Sequence, residues 1–186
     1  MTLFLLVLGA SSPAWAAPQF CSKPEGKAEQ LICTDPELQS RDAALAVIYA
    51  AARAKAKPTQ QKRLAVEQKG WWNGVRDCWK ADDLRACIVT NYELRTVELQ
   101  TSWSLAPSHA PVHFRCADGA DIDVTYFDTQ PPSLIATRKQ EQSLMRAALA
   151  ASGARYIGRN ESLWERQGEV RVTWGYQAPE TTCSKR

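Results

Sequence analysis

Residues 112–126 read Val-His-Phe-Arg-Cys-Ala-Asp-Gly-Ala-Asp-Ile-Asp-Val-Thr-Tyr, and they decide the fold class of the C-terminal half. Val112, Phe114 and Cys116 alternate with His113 and Arg115; after Asp118-Gly119, Ile122, Val124 and Tyr126 alternate with Asp123 and Thr125. A period of two marks a strand with one buried face, and the Asp-Gly pair marks the turn between two such strands. Similar short stretches follow at 133–136, 144–149, 155–157, 162–164 and 170–174, separated by turn signals at Pro131-Pro132, Ser152-Gly153, Gly158 and Gly168. Several short strands in so few residues predict a small antiparallel sandwich or barrel. The Ala-rich stretch 144–151 also suits a helix.

Upstream the period changes to that of a helix. Leu38, Leu45, Ile48, Tyr49 and Ala52 recur at helical intervals, with Asp35 as N-cap, Pro36 as first helical residue and Pro58 as the end. Thr59 is the expected cap of a second helix to about Trp79, carrying Leu64, Gln68, Trp71, Trp72 and Val75. Asp82 or Asp83 caps a third, with Leu84, Ile88, Tyr92, Arg95 and Leu99 in step. The fold class is therefore α+β: a three-helix bundle at 18–104, a Pro-containing linker at 105–111, and a β domain at 112–186.

The 186 residues suffice for two small domains, neither with a large core. Cys21, Cys33, Cys78, Cys87, Cys116 and Cys183 form an even set that reads as a disulfide framework. A Cys116–Cys183 bridge would fasten the first and last strands. The other four allow three pairings, of which those crossing between the Cys21/Cys33 and Cys78/Cys87 segments are preferred because they would tie separate helices. With His109 and His113 the only histidines, no metal site is expected, and no cofactor.

Residues 1–17 read as a signal peptide: Leu3 to Leu8 is an apolar core, and Ala14-Trp15-Ala16 is a cleavage motif, with cutting after Ala16 or Ala17. No Lys or Arg precedes the apolar core, which suggests a start codon upstream of Met1. The run is too short to span a membrane, and Cys21 lacks the small preceding residues of a lipid-attachment signal. A periplasmic protein is expected. The net charge of +3 is spread evenly, with 13 basic and 11 acidic residues before position 105 and 10 and 9 after it. No basic stripe points to nucleic acid.

Over 112–183 the chain resembles the MliC/PliC family of c-type lysozyme inhibitors. The resemblance rests on His113-Phe114-Arg115-Cys116, Asp118-Gly119, Ile122-Asp123-Val124-Thr125-Tyr126, Ala151-Ser152-Gly153-Ala154-Arg155-Tyr156, Leu163-Trp164-Glu165-Arg166 and Cys183. It implies an eight-stranded antiparallel barrel that inserts a loop into the lysozyme cleft. The family's inserted residues are the serine of S-G-x-x-Y and the lysine of W-x-K-G, which match Ser152 and Arg166; Gly153, Tyr156 and Trp164 would shape the loop. The chain departs from the pattern in carrying Arg166 for lysine and in the additional Gln167 before Gly168. Lysozyme cleaves with two carboxyl groups, so a hydroxyl and a cation presented together suit its cleft.

The N-terminal half resembles the LprI-type helical domain through Cys21, Glu29, Cys33, Leu38, Asp42, Tyr49, Gln68, Trp71, Arg76, Cys78, Cys87, Tyr92, Arg95 and Leu99. That resemblance implies no contact residues.

Without the flanking motifs, Ser152-Gly153 is an ordinary turn and Arg166 a solvated charge at a strand end. Trp71, Trp72, Trp79 and Trp103 suggest sugar stacking, although helical spacing does not align them; one of Trp71 and Trp72 should be core and the other partly exposed. Glu161 and Glu165 could be paired carboxylates for glycoside hydrolysis, but such pairs arise by chance in a chain with 20 acidic residues. No G-x-S-x-G, HExxH or phosphate-loop motif occurs. The expected function is inhibition of c-type lysozyme by a non-enzyme; the alternative is a non-catalytic module that binds peptidoglycan or another envelope protein.

Overall fold

The computed structural model describes residues 18–166 and 169–186. The expected leader and its cleavage position lie outside the described residues, as do Gln167 and Gly168.

Four helices form the N-terminal half: α1 (Lys27–Thr34), α2 (Pro36–Lys55), α3 (Pro58–Arg76) and α4 (Leu84–Ser102), with 3-10 turns at Gln19–Ser22 and Asp77–Lys80. The three-helix expectation missed α1, which at eight residues is only two turns long and carries too little sequence for a helical period to emerge. Asp35 caps α2 by accepting from the N–H groups of Glu37 and Leu38 at 2.9 and 3.2 Å. Its other oxygen pairs with Arg85 at 2.8 Å, so one carboxylate joins the starts of α2 and α4. Asp83 caps α4 through the N–H of Ala86 at 2.9 Å. Thr59 is not the cap of α3. The helix begins one residue earlier at Pro58, whose fixed φ and missing N–H suit the first helical position.

Ile32, Leu38, Leu45, Ala52, Leu64, Val75, Ile88, Tyr92 and Leu99 make the helical core. Several polar residues from the LprI resemblance meet one another at its edge. Asp42 accepts from the Tyr92 hydroxyl at 2.8 Å, Gln68 accepts from Arg95 Nε at 2.9 Å, and Glu29 pairs with Arg76 at 3.4 Å. Burial pushes the Asp42 carboxyl above the usual range against the opposing hydrogen bond.

The disulfides Cys21–Cys33 and Cys78–Cys87 span 12 and 9 residues. The preference for crossing pairs is therefore corrected. Each bridge closes a local reversal, the first between a 3-10 turn and the end of α1, the second between the Asp77–Lys80 turn and the first turn of α4. The helices are joined by side-chain packing, not by sulfur.

The C-terminal half is a closed eight-stranded antiparallel barrel of β1 (Val112–Cys116), β2 (Asp121–Phe127), β3 (Ser133–Arg138), β4 (Glu141–Ala148), β5 (Ala154–Ile157), β6 (Glu161–Arg166), β7 (Glu169–Trp174) and β8 (Glu180–Lys185). Strands follow in chain order, and β1 closes on β8 with Cys116 opposite Cys183, the two joined by a disulfide. Phe114, Cys116, Ile122, Val124, Leu134, Ala136, Met145, Leu163, Val172 and Cys183 fill the interior, as alternation along the strands requires. The ambiguous stretch 144–151 is a strand as far as Ala148.

Segment 105–111 lies against the barrel: the Asp128 N–H donates to the Pro107 carbonyl at 3.0 Å, and the His109 N–H to that of Tyr126 at 2.9 Å. Glu93 of α4 reaches both Arg41 of α2, at 3.4 Å, and Arg146 of β4, at 3.6 Å, linking the bundle to the barrel wall.

Candidate functional site

The antiparallel pairing of β5 with β6 sets Ala154 opposite Glu165. The loop entering β5, residues 149–153, therefore lies beside the end of β6. Two motifs more than ten positions apart in sequence share one end of the barrel.

The loop is held by specific contacts. Gly153 has φ +71°, and a Cβ there would lie 1.9 Å from the Glu165 carbonyl oxygen. A left-handed backbone and this close approach both require glycine. The Trp164 indole Nε1–H donates to the Ser152 carbonyl at 2.9 Å. The Arg166 guanidinium carbon lies 5.7 Å from the centre of the same ring, within range of a cation–π contact. Trp164 thus touches both halves of the expected pair, Ser152 through its backbone and Arg166 through its charge. Both Ser152 and Arg166 are exposed.

Tyr156 lies on β5, two residues past Ala154. Its ring meets Tyr126 edge-on at 5.8 Å, and the Tyr126 hydroxyl donates to Glu165. Burial raises both phenols, and the Glu165 carboxylate raises them further, so both remain neutral at physiological pH. The sequence offered Glu165 only as a chance carboxylate partner of Glu161 and did not pair it with Tyr126, which closure of the barrel brings to it from 39 positions away. A cleft of about 470 Å³ opens at this barrel end, lined by Gly153, Glu165 and Arg166 with Phe114, Tyr126 and Lys185 among others.

The other candidates do not gather here. Glu161 accepts from the Ser143 hydroxyl at 2.9 Å. It lies four residues from Glu165 on one strand, a separation of about 13 Å at the strand rise, too wide for paired glycosidase carboxylates. Trp71 and Trp72 are both half-buried, so one ring is partly exposed as expected but neither is fully core: Trp71 meets Tyr92 edge-on at 5.1 Å, and Trp72 rests on Phe20 at 4.9 Å. His109 and His113 are exposed and pair with Asp128 and Asp123. Among the described residues no cluster of three or more His, Cys, Asp or Glu could hold a metal, and no helix is long and apolar enough to cross a membrane.

Comparison with known proteins matches the two halves of the chain to two family models. Residues 21–99 match the family model described as lysozyme inhibitor LprI, and residues 114–181 match that of MliC, membrane-bound lysozyme-inhibitor of c-type lysozyme. Proteins named lipoprotein LprI from Mycobacterium tuberculosis and Mycobacterium bovis are 30% identical over 166 residues, covering 87% of this chain and 82% of theirs. The chain belongs to the LprI family. Its barrel half is also similar to the crystal structure of Pseudomonas aeruginosa MliC in complex with hen egg white lysozyme, with a TM-score of 0.35 and 20% identity, covering 44% of this chain and 86% of that one. The mycobacterial LprI proteins are named lipoproteins; in this LprI-family chain the Cys21 sulfur is bonded to Cys33 and is not free to carry a lipid.

Proposed function

We propose that this LprI-family chain is an exported, non-enzymatic inhibitor of c-type lysozyme, and that the Ser152 loop and Arg166 enter the lysozyme cleft together. The observation that carries the reading is the double contact of Trp164, which donates to the Ser152 carbonyl and stacks with Arg166. An ordinary turn beside a solvated charge needs no such link. A hydroxyl and a guanidinium held on one support suit a cleft that works with two carboxyl groups, and preorganisation lowers the entropy lost on binding. Arg166 can meet a carboxylate with two N–H groups where a lysine would offer a single charge.

The family names support the same reading, since both halves match lysozyme-inhibitor models. In this proposal Gly153, Tyr156 and Trp164 shape the loop, 112–186 is the inhibitory unit, 105–111 joins it to the helical unit at 18–104, and the mature chain works in the periplasm after loss of residues 1–17.

The test is turbidity clearing of bacterial cell walls by c-type, g-type and i-type lysozymes in the presence of the oxidised mature chain. Near-stoichiometric inhibition of the c-type enzyme alone is expected. No inhibition of any of the three would overturn the proposal.

A further inference from the structure

A groove of about 200 Å³ runs between α3 and α4. Gln60, Arg63 and Glu67 line it from α3, and Arg95, Glu98 and Ser102 from α4. Both sets step by three and then by four, the spacing that keeps side chains on one helix face. Two stripes therefore face one another along the groove, and Trp103 stands at the end of the second.

Arg95 makes this groove unusual. Its side chain is only 2% exposed. Nε donates to Gln68 and Nη1 to Glu98, each at 2.9 Å, while the buried Nη2 has no hydrogen-bond partner among the described residues. Buried donors are nearly always matched, and Arg95 belongs to the lining of this groove, so a small displacement of the exposed side chains over it would bring the unmatched nitrogen to an acceptor oxygen.

The charges decide what carries that oxygen. Arg63 pairs with Glu67 and Arg95 with Glu98, each at 2.9 Å, so the cations of the lining are balanced by its carboxylates. A carboxylate ligand would meet repulsion from Glu67 and Glu98. A hydroxyl both donates and accepts, and it suits a surface where guanidinium and carboxylate groups alternate. The groove is smaller than a drug-sized pocket and suits one ring. Entry requires only exposed side chains to move, since Arg63 is 83% and Glu98 48% exposed.

We infer that the α3–α4 groove of the helical half binds one neutral sugar unit, with its oxygen on Arg95 Nη2 and its hydroxyls on Glu67, Glu98 and Ser102. The aromatic residue of this site is Trp103, which is half-buried like Trp71 and Trp72 but, unlike them, lines the groove. The inference does not depend on the barrel or on lysozyme.

The test is titration of the nitrogen-15-labelled, oxidised full chain with an N-acetylglucosamine trisaccharide, following the Trp103 indole and Arg95 side-chain resonances. Saturable shifts at both are expected. Ser102→Tyr fills the groove from an exposed position without touching the Arg95–Gln68 bond, and should weaken binding at least about tenfold. Absence of saturation in the native chain at millimolar sugar would overturn the proposal, as would unchanged affinity in Ser102→Tyr. Saturation of the same resonances by acetate but not by the sugar would mark an anion site and also overturn it.

Discussion

The indole N–H of Trp164 donates to the Ser152 carbonyl at 2.9 Å, and this bond crosses from the end of one strand to the loop that enters its neighbour. It fixes the loop backbone, while the same ring faces the Arg166 guanidinium at 5.7 Å. Trp164→Phe keeps a ring beneath Arg166 and removes the donor. Loss of one hydrogen bond of this kind is worth about 1 kcal/mol. Inhibition should weaken roughly five- to tenfold while the melting temperature falls by only a few degrees, as read by inhibition titration and circular dichroism. Undiminished potency would show that the bond does not hold the loop in its binding conformation.

Gly153→Ala tests the other constraint on that loop. A Cβ 1.9 Å from the Glu165 carbonyl oxygen cannot be accommodated, and φ +71° is itself unfavourable for alanine. The loop must shift, at a cost of about 1–3 kcal/mol in stability. Inhibition should fall more than the stability does, because the shift moves Ser152 directly. Denaturant unfolding beside an inhibition assay measures both.

The three disulfides should contribute unequally. Cys116–Cys183 spans 67 residues and closes the barrel between β1 and β8, whereas Cys21–Cys33 spans 12. Loop-closure entropy gives about 4 kcal/mol for the first and about 3 kcal/mol for the second. Replacing Cys116 and Cys183 by alanine should lower the barrel's unfolding midpoint most, and equal losses for the two double variants would contradict the entropic account.

Asp42 predicts a pH dependence. Burial raises its carboxyl above the usual value of 3.8, with the Tyr92 hydrogen bond opposing. A carboxyl whose folded pKa is raised favours the folded state fully below its unfolded value, and loses that contribution as pH rises through the folded one. At neutral pH the buried carboxylate therefore destabilises the chain. Asp42→Asn keeps an acceptor for Tyr92 and removes the charge, so it should raise the unfolding midpoint at pH 7 and converge with the native chain well below pH 3.8. A variant less stable at pH 7 would mean that the ionised form is worth more to Tyr92 than burial costs.

Much of this architecture is legible in the residues. Strict alternation in 112–126 specifies β1 and β2 because one face of each must enter the barrel, and Asp35-Pro36 and the Asp82-Asp83 pair mark helix starts through chemistry local to the chain, with Asp83 the cap in the fold. What escapes depends on distant contacts. In β8 Cys183 is the one buried side chain, so the strand has no apolar rhythm and exists through its pairing with β1 and β7. The pairing of the four helical-domain cysteines is set by chain reversals that spacing does not encode. The Tyr126–Glu165 bond exists only once the barrel closes, whereas Ser152, Gly153, Trp164 and Arg166 stand out beforehand through their flanking motifs. Neither the motifs nor the family resemblance singled out Arg95 as a site, since its unmatched nitrogen is visible only in the folded bundle.

The central claim is tested most directly by the inhibition constants of the native chain, Ser152→Ala, Arg166→Ala and the double variant against one c-type lysozyme. Both side chains are exposed, so circular dichroism should show all four proteins folded alike. The account predicts a loss of about tenfold or more for each single variant, and a double loss that departs from the product of the singles because both groups act in one cleft. A double variant as potent as the native chain would contradict it.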